Sequence, residues 1–333
     1  MAEWIRREGS KSNFRYARAD GRRVQDARTL ARIAALVVPP GWGDVHIAAS
    51  ARAAVQAWGL DAKGRKQYRY HPRAVERGQL RKYYRVRELA LALPDIRARV
   101  RRDAASRTPS RRAIAAAVVR LISESFFRVG GERYAAENKT FGIATLRKRH
   151  VTVERDCAVF EYVGKRGVEQ HQVVANRELA RLVKRQLASP GARLFRYREE
   201  ARWRDLTARD VNEYLHERLG VGFSAKDFRT WGGTLRAATV LAELGPARSN
   251  AEARRNVTTA MRLVAAELGN TPTICRNSYV HPMVIARYVD DGEVIRLPAH
   301  HRPRANAYAH SPEERALIRF LDRHFPERRR LPR

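Results

Sequence analysis

Cysteine is nearly absent from this sequence: Cys157 and Cys275 are the only two in 333 residues, and neither sits at a metal-ligand spacing. A disulfide-stapled secreted scaffold is therefore excluded, and a reduced, cytoplasmic protein is expected. Long apolar runs are missing too. The longest, IAALVVPP at 33–40, is too short to span a bilayer, and the N-terminal MAEWIRREGS has no apolar signal core, so no membrane helix is expected. Acids are scarce, 35 Asp+Glu against 67 Lys+Arg, and no acidic cluster marks a metal site. There is no GxxxxGK[ST] loop, so neither Mg²⁺ nor ATP is implied and no cofactor is expected. Internal repeats are lacking as well, which sets aside a solenoid.

What the sequence does have is positive charge on an otherwise globular composition. With 44% hydrophobic residues, 333 positions are enough for two domains with cores of their own, while the formal charge of +32 asks for a polyanionic partner. Nucleic acid is the first candidate, since each neutralised phosphate releases counterions; double-stranded DNA is the partner we expect. Only nine of the 67 cations are lysine and the other 58 are arginine. Where a lysine stands at a special position in such a chain, it points to what arginine does poorly, which is to give up a proton.

Along the chain, residues 1–78 read as a small, mainly β module with one helix near DARTLARIAALV and a hairpin at DAKGRKQYRY. Gln67, Tyr68 and Tyr70 alternate with Arg65, Lys66 and Arg69 on its second strand. That mixture suits groove contact, with cations on phosphates and amide or phenol toward base edges; the alternative is an ordinary exposed strand whose tyrosines pack inward. Pro72 after His71 breaks the strand pattern and places a hinge at 72–80. Residues 79–333 then form a larger, mainly α domain with a small antiparallel sheet, giving an α+β fold overall. A helix is expected from 113 through AIAAAVVRLISESFFRVGGERYAAENKTFG, with Arg128 at its end, either held at a site or resting on the helix dipole. The alternating runs HVTVE, AVFEYV and HQVV make the sheet, with Lys165 at the apex of the Gly164–Gly167 hairpin. After 176 the pattern is helical to the end. NRELARLVKRQL, TARDVNEYLHERLG and NAEARRNVTTAMRLVAAELG each begin with a good cap, and the last two close on glycine. The helix from Ser224 opens with a capping box to Asp227 and carries Lys226, Arg229 and Trp231, then Gly232 and Gly233, which imply close backbone approach by DNA or by a neighbouring helix. The tail FPERRRLPR is basic and is expected to be loose.

The stretch TPTICRNSYVHP at 271–282 adds a lone Tyr279 in the last turn of a short helix, with Thr271 as N-cap, Pro272 at the first helical position and Pro282 as a stop. A phenol so placed can project beyond the packed body. It is either an amphipathic packing residue or one of the few side chains able to form a covalent phosphoester. Taken in order, Arg128, Lys165, Arg229 and Tyr279 make a coherent set for phosphoryl transfer. Guanidinium groups stabilise the charge that builds on nonbridging oxygens, and a lysine protonates the leaving alkoxide.

On FFRVGGERYAAENKTFGIATLRKRHV, VGKRG, SAKDFRTWGGT and LGNTPTICRNSYVHP, the sequence from about residue 12 to 300 resembles the type IB DNA topoisomerases of the compact bacterial and poxvirus kind. The resemblance implies a small N-terminal β domain and a larger helical catalytic domain that close on duplex DNA as a clamp, acting as a monomer in the nucleoid. It implies Tyr279 as the nucleophile of a 3′-phosphotyrosyl bond, Arg128 and Arg229 as stabilisers of the transition state, and Lys165 as the acid toward the 5′ oxygen, with Lys226 assisting. Tyr134 would contact phosphate, and Gln67, Tyr68 and Tyr70 match the family's groove-reading strand. Asn270 stands where the poxvirus enzymes hold histidine; it keeps a neutral hydrogen-bond donor and loses any added charge. Two rivals remain from the sequence alone. A tyrosine recombinase shares Arg, Lys and Tyr but would show a histidine two or three residues before the second arginine, and an architectural DNA binder would need only the charge.

Overall fold

The computed structural model describes residues 3–10, 13–219, 222–298 and 306–325. Two compact units emerge, Met1–Lys82 and Tyr83–Arg333.

The first unit is an antiparallel sheet with one helix. Its strands are β1 (Trp4–Glu8), β2 (Arg15–Ala17), β3 (Gly43–Ala48), β4 (Val55–Leu60) and β5 (Lys66–Tyr70), in the order β2-β1-β3-β4-β5, and α1 (Ala27–Ala35) lies between β2 and β3 in sequence. Asp26 caps α1 by accepting from the Thr29 N–H. Ile5, Val24, Ile33, Val45, Ile47 and Ala57 form the core, so strand alternation sends the other residues of β1, β3 and β4 to the opposite face. There, cross-strand pairing sets Arg6, His46, Trp58 and Tyr68 in one row. His46 stacks on Trp58 at 4.1 Å, and the Lys66 ammonium sits 3.6 Å from the Trp58 ring centre.

A long helix, α2 (Pro72–Ala104), follows β5, and the division between the units falls inside it. In the second unit α3 (Arg111–Ser125) is the central element: Ala113 to Val119, Leu121 and Ile122 are all buried. The helix expected from 113 to Arg128 stops early, at Ser125. Phe126 adopts a left-handed conformation, φ 55°, and closes α3 with its N–H on the Ile122 carbonyl. The turn lets Phe127 enter the core edge-on to Phe160, 4.9 Å between centres, and the chain resumes as α4 (Glu132–Asn138). Two 3-10 turns at 143–145 and 148–150 lead into β6 (Val151–Glu154), β7 (Cys157–Val163) and β8 (Glu169–Ala175), an antiparallel sheet in that order. Gly164–Gly167 forms the β7–β8 tip as expected, with Arg166 left-handed at φ 66°.

From there the chain is not helical throughout. After α5 (Arg177–Leu187) comes a hairpin, β9 (Arg196–Glu199) and β10 (Arg202–Asp205), turning at the left-handed Glu200. It buries Tyr197 against the central helix side, and no Gly or Asn announces the turn. The rest is helical: α6 (Ala208–Leu219), α7 (Ala225–Leu244), α8 (Asn250–Leu268), α9 (Pro272–Ser278), α10 (Pro282–Asp291) and α11 (Pro312–His324). Pro282 does end the influence of α9, but it also starts α10, with His281 as N-cap. Gly269 closes α8 in the left-handed form, as its sequence predicts. Gly220, expected to close α6, and the tail beyond Phe325 lie outside the described residues. Among the described residues no helix is long and apolar enough to cross a membrane.

Candidate active site

Four elements of the second unit converge: the segment after α3, the first turns of α7, the C-terminus of α8, and the end of α9. The start of α7 is fixed by the capping box that the sequence predicts. Asp227 Oδ2 accepts from both the Ser224 N–H and hydroxyl at 2.8 Å, while Oδ1 takes Nε and Nη2 of Arg85 at 3.0 and 2.9 Å. That anchor holds Arg229, half a turn on, where it is only 3% exposed.

Arg229 donates to the carbonyl of Phe126 and, at 2.8 Å, to that of Leu268. Arg128 donates at 2.9 Å to the Gly269 carbonyl and at 2.5 Å to Asn270 Oδ1. Both guanidinium groups are therefore steered by carbonyls at the C-terminal ends of α3 and α8, where the helix dipoles are negative. Arg128 is not on a helix; the choice left open by the sequence goes to a built contact with the α8 turn. Because a guanidinium only donates, the atom of Asn270 that faces it is the oxygen, and Nδ2 points elsewhere. Both that Nδ2 and Arg229 Nε are buried with no hydrogen-bond partner among the described residues. Among the described residues neither Arg128 nor Arg229 pairs with a carboxylate. Two adjacent, partly desolvated cations with unused donors and no acid form a receptor for an anion.

Tyr279 is the cap residue of α9, its N–H on the Cys275 carbonyl at 2.9 Å. Rather than projecting into solvent, it is half-buried, with its ring centre 5.1 Å from the Arg229 guanidinium carbon. Burial alone would raise the phenol, but the positive charge of Arg229, with that of Arg128 and Lys226, holds it below its ordinary value. Arg229 in turn is lowered by burial and by the nearby Arg128. The glycines of α7 explain how the elements come this close. A methyl on Gly232 would collide with the Phe126 ring, and one on Gly233 would stand 3.0 Å from the Tyr279 carbonyl oxygen, so the close approach is to neighbouring protein.

The structure thus brings Arg128, Arg229, Asn270, Tyr279 and, from the exposed start of α7, Lys226 to one place. Lys165 stands on the exposed hairpin tip, with no hydrogen bond or ion pair among the described residues. Tyr134 is exposed on α4. Gln67, Tyr68 and Tyr70 belong to β5 of the first unit, where Tyr68 and Tyr70 are 43% and 51% exposed and stack at 5.7 Å, while Gln67 donates to Asp61 Oδ2 at 2.9 Å. The inward-packed alternative for those tyrosines does not hold.

Three residues escape a reading of the sequence. The Thr234 hydroxyl lies 2.7 Å from the Thr230 carbonyl and 3.2 Å from that of Tyr279, and accepts from the His281 N–H at 3.1 Å, pinning the backbone between α9 and α10. Tyr83 reinforces it, donating to the Val280 carbonyl at 2.9 Å. Tyr162 is a second phenol beside both arginines, bonded to Gln172 at 2.9 Å and pushed up to about 12 by burial. Only Tyr162 carried a signal, as a polar-tipped residue on the inward face of an alternating strand. Among the described residues no group of three or more His, Cys, Asp or Glu could hold a metal ion.

Residues 72–296 match the family described as eukaryotic DNA topoisomerase I, catalytic core, and residues 13–61 match bacterial DNA topoisomerase IB, N-terminal domain. A DNA topoisomerase 1B from Acanthamoeba polyphaga mimivirus is 28% identical over 301 residues, covering 88% of this chain and 90% of that protein. DNA topoisomerase 1B of Vaccinia virus (strain Copenhagen) is 27% identical over 241 residues, 70% of this chain and 72% of the viral one. DNA topoisomerase 1 of Rabbit fibroma virus (strain Kasza) is 26% identical, with 71% and 73% covered.

Proposed function

This chain belongs to the type IB DNA topoisomerase family, and from that premise we propose how its residues carry out the relaxation of supercoiled duplex DNA. The phenolate of Tyr279 attacks a backbone phosphorus, forming a 3′-phosphotyrosyl bond as the bond to the 5′ oxygen breaks. Lys165 gives that oxygen its proton. One strand is then free to swivel, and attack by the same 5′ hydroxyl, returning its proton to Lys165, restores the duplex and frees Tyr279. Bond for bond the exchange is near-isoenergetic, so the work comes from the supercoils and no nucleotide is consumed.

The observation that carries this reading is the carboxylate-free pair Arg128 and Arg229 with the unpartnered Nδ2 of Asn270 and Nε of Arg229, all beside the lowered phenol. These donors suit the nonbridging oxygens, whose charge grows toward the transition state. Lys226 adds positive charge on the phenolate side. DNA contacts from Gln67, Tyr68 and Tyr70 on β5, and a phosphate contact from Tyr134, fit their exposed positions. The charge of +32 supports binding along the duplex backbone, the family resemblance implies a monomer that closes as a clamp, and two unpaired cysteines fit a cytoplasmic, nucleoid-associated protein. The recombinase reading is not favoured by the family match over residues 72–296. Incubation with supercoiled plasmid in EDTA and without ATP tests the proposal: ladders of relaxed topoisomers are expected. Strand exchange between two duplexes without relaxation, or retention of supercoils, would contradict it.

A further inference from the structure

Gln170 has no role in the chemistry above, yet it fills the space between two parts of the site. It lies on β8 directly opposite Tyr162, at the foot of the hairpin whose tip carries Lys165, and is 6% exposed. Its Nε2 donates to the carbonyls of Val168 and Glu169 at 3.3 and 3.1 Å, and the Val168 carbonyl also receives the Gly164 N–H at 2.7 Å. The side chain is thereby folded back over its own turn. On one side it meets Gly164, where a methyl would come within 2.8 Å of Gln170 Cγ. On the other it covers Gly269, where a methyl would collide with Gln170 Oε1 and stand 2.5 Å from its amide carbon. Gly164 immediately precedes Lys165. Gly269 supplies the carbonyl that holds Arg128, and Asn270 follows it.

We infer that Gln170 is a positioning residue, a spacer that sets the Lys165 hairpin against the Gly269–Asn270 turn so that the acid and the anion-binding donors address one phosphate. The inference rests on the assignment of Lys165 as general acid. The two sides of the spacer differ in rigidity. The Gly269–Asn270 turn is fixed by its own N–H bonds to the Ala266 and Ala265 carbonyls and by Arg128, whereas the hairpin tip is exposed from Lys165 to Glu169. Removing the spacer therefore frees the hairpin first, and loss of aim at Lys165 is the expected defect.

The test is single-turnover cleavage at saturating DNA by Gln170→Ala, and by Gln170→Met, which keeps the length but not the amide. Each is run beside Lys165→Ala on ordinary DNA and on DNA with sulfur at the 5′ bridging position, whose thiolate leaves without a proton. Each Gln170 variant should cleave ordinary DNA roughly 10 to 100-fold more slowly, the order expected for a misplaced reacting group. DNA affinity should be unchanged, and sulfur should restore most of the rate, as it does for Lys165→Ala. Wild-type rates on ordinary DNA overturn the inference. So does slow cleavage that sulfur does not rescue while it rescues Lys165→Ala, because the defect then lies elsewhere in the site. If sulfur fails to rescue Lys165→Ala itself, the assignment of the general acid is what has failed, and the role given to Gln170 goes with it.

Discussion

Tyr279 and Tyr162 are the same side chain beside the same two arginines, and their surroundings drive their hydroxyls in opposite directions. Tyr162 is enclosed and bonded to Gln172, and burial pushes it up to about 12; Tyr279, against its own burial, feels the charges of Arg229, Arg128 and Lys226 and ends below its ordinary value. The Cys275 thiol, one helical turn from Tyr279, is pushed up to about 11 by burial and is no competing nucleophile. The sign for Tyr279 follows directly. A lowered phenol yields more phenolate at a given pH, so the single-turnover cleavage rate should rise with pH over the range in which that group ionises. Lys226→Met removes a nearby positive charge and should move the rising limb to higher pH; an unmoved limb would mean that Tyr279 does not titrate in that window. Tyr162→Phe should cost about 1 kcal/mol of stability in a denaturant melt, the worth of one hydrogen bond, while adduct formation continues. Asn270→Ala should slow cleavage by about 10² to 10³-fold, the cost of one donor to a developing oxyanion, and Asn270→His should keep most of the activity. The roles proposed for Tyr279, Arg128 and Arg229 come from their motifs. The orientation of Tyr279 is not, because its partner Arg229 is fifty residues away and is aimed by carbonyls that no local pattern reveals.

Between elements, the decisive contacts are made by small residues on α7. Gly233 lets the Tyr279 backbone approach, and Thr234 takes the His281 N–H beside it. A methyl at Gly233 would stand 3.0 Å from the Tyr279 carbonyl oxygen and 3.3 Å from its Cβ, both tighter than ordinary contact, so α9 must shift to admit it. Gly233→Ala gains helix propensity, up to about 1 kcal/mol, while displacing the phenol. The expected outcome is a protein that melts near the wild-type temperature but cleaves at least about tenfold more slowly, since small misplacements at a reacting centre are costly. Unchanged cleavage would show that the approach of α7 to α9 is not what aims Tyr279. Helix starts were legible where caps are local: Asn176, Ser224 and Thr271 serve as the N-caps their segments predict, whereas Ser249, not Asn250, caps α8 and Ser110 starts α3 ahead of residue 113. Breaks were harder to see. Phe126 turns left-handed to place Phe127 in the core, and the β9–β10 hairpin turns on Glu200, neither being a residue that favours such a conformation.

For the whole molecule the charge of +32 makes a quantitative demand. Noncovalent affinity of the Tyr279→Phe protein, which is expected to be inactive, for duplex DNA should fall steeply with salt, with a log-log slope near −0.9 for each phosphate neutralised. A flat response would exclude a backbone-tracking clamp. Tyr70→Ala, on the exposed edge strand of the first unit, should weaken that binding while leaving cleavage at saturating DNA unchanged. The central assignment is tested most directly by mass spectrometry of the adduct. The protein is incubated with duplex DNA in EDTA, quenched with denaturant and digested. The expected product is the peptide containing Tyr279 joined to the 3′ phosphate of a nucleotide, absent from Tyr279→Phe. A nucleotide on Tyr162, a 5′-linked phosphate, or an adduct that survives in Tyr279→Phe would contradict it.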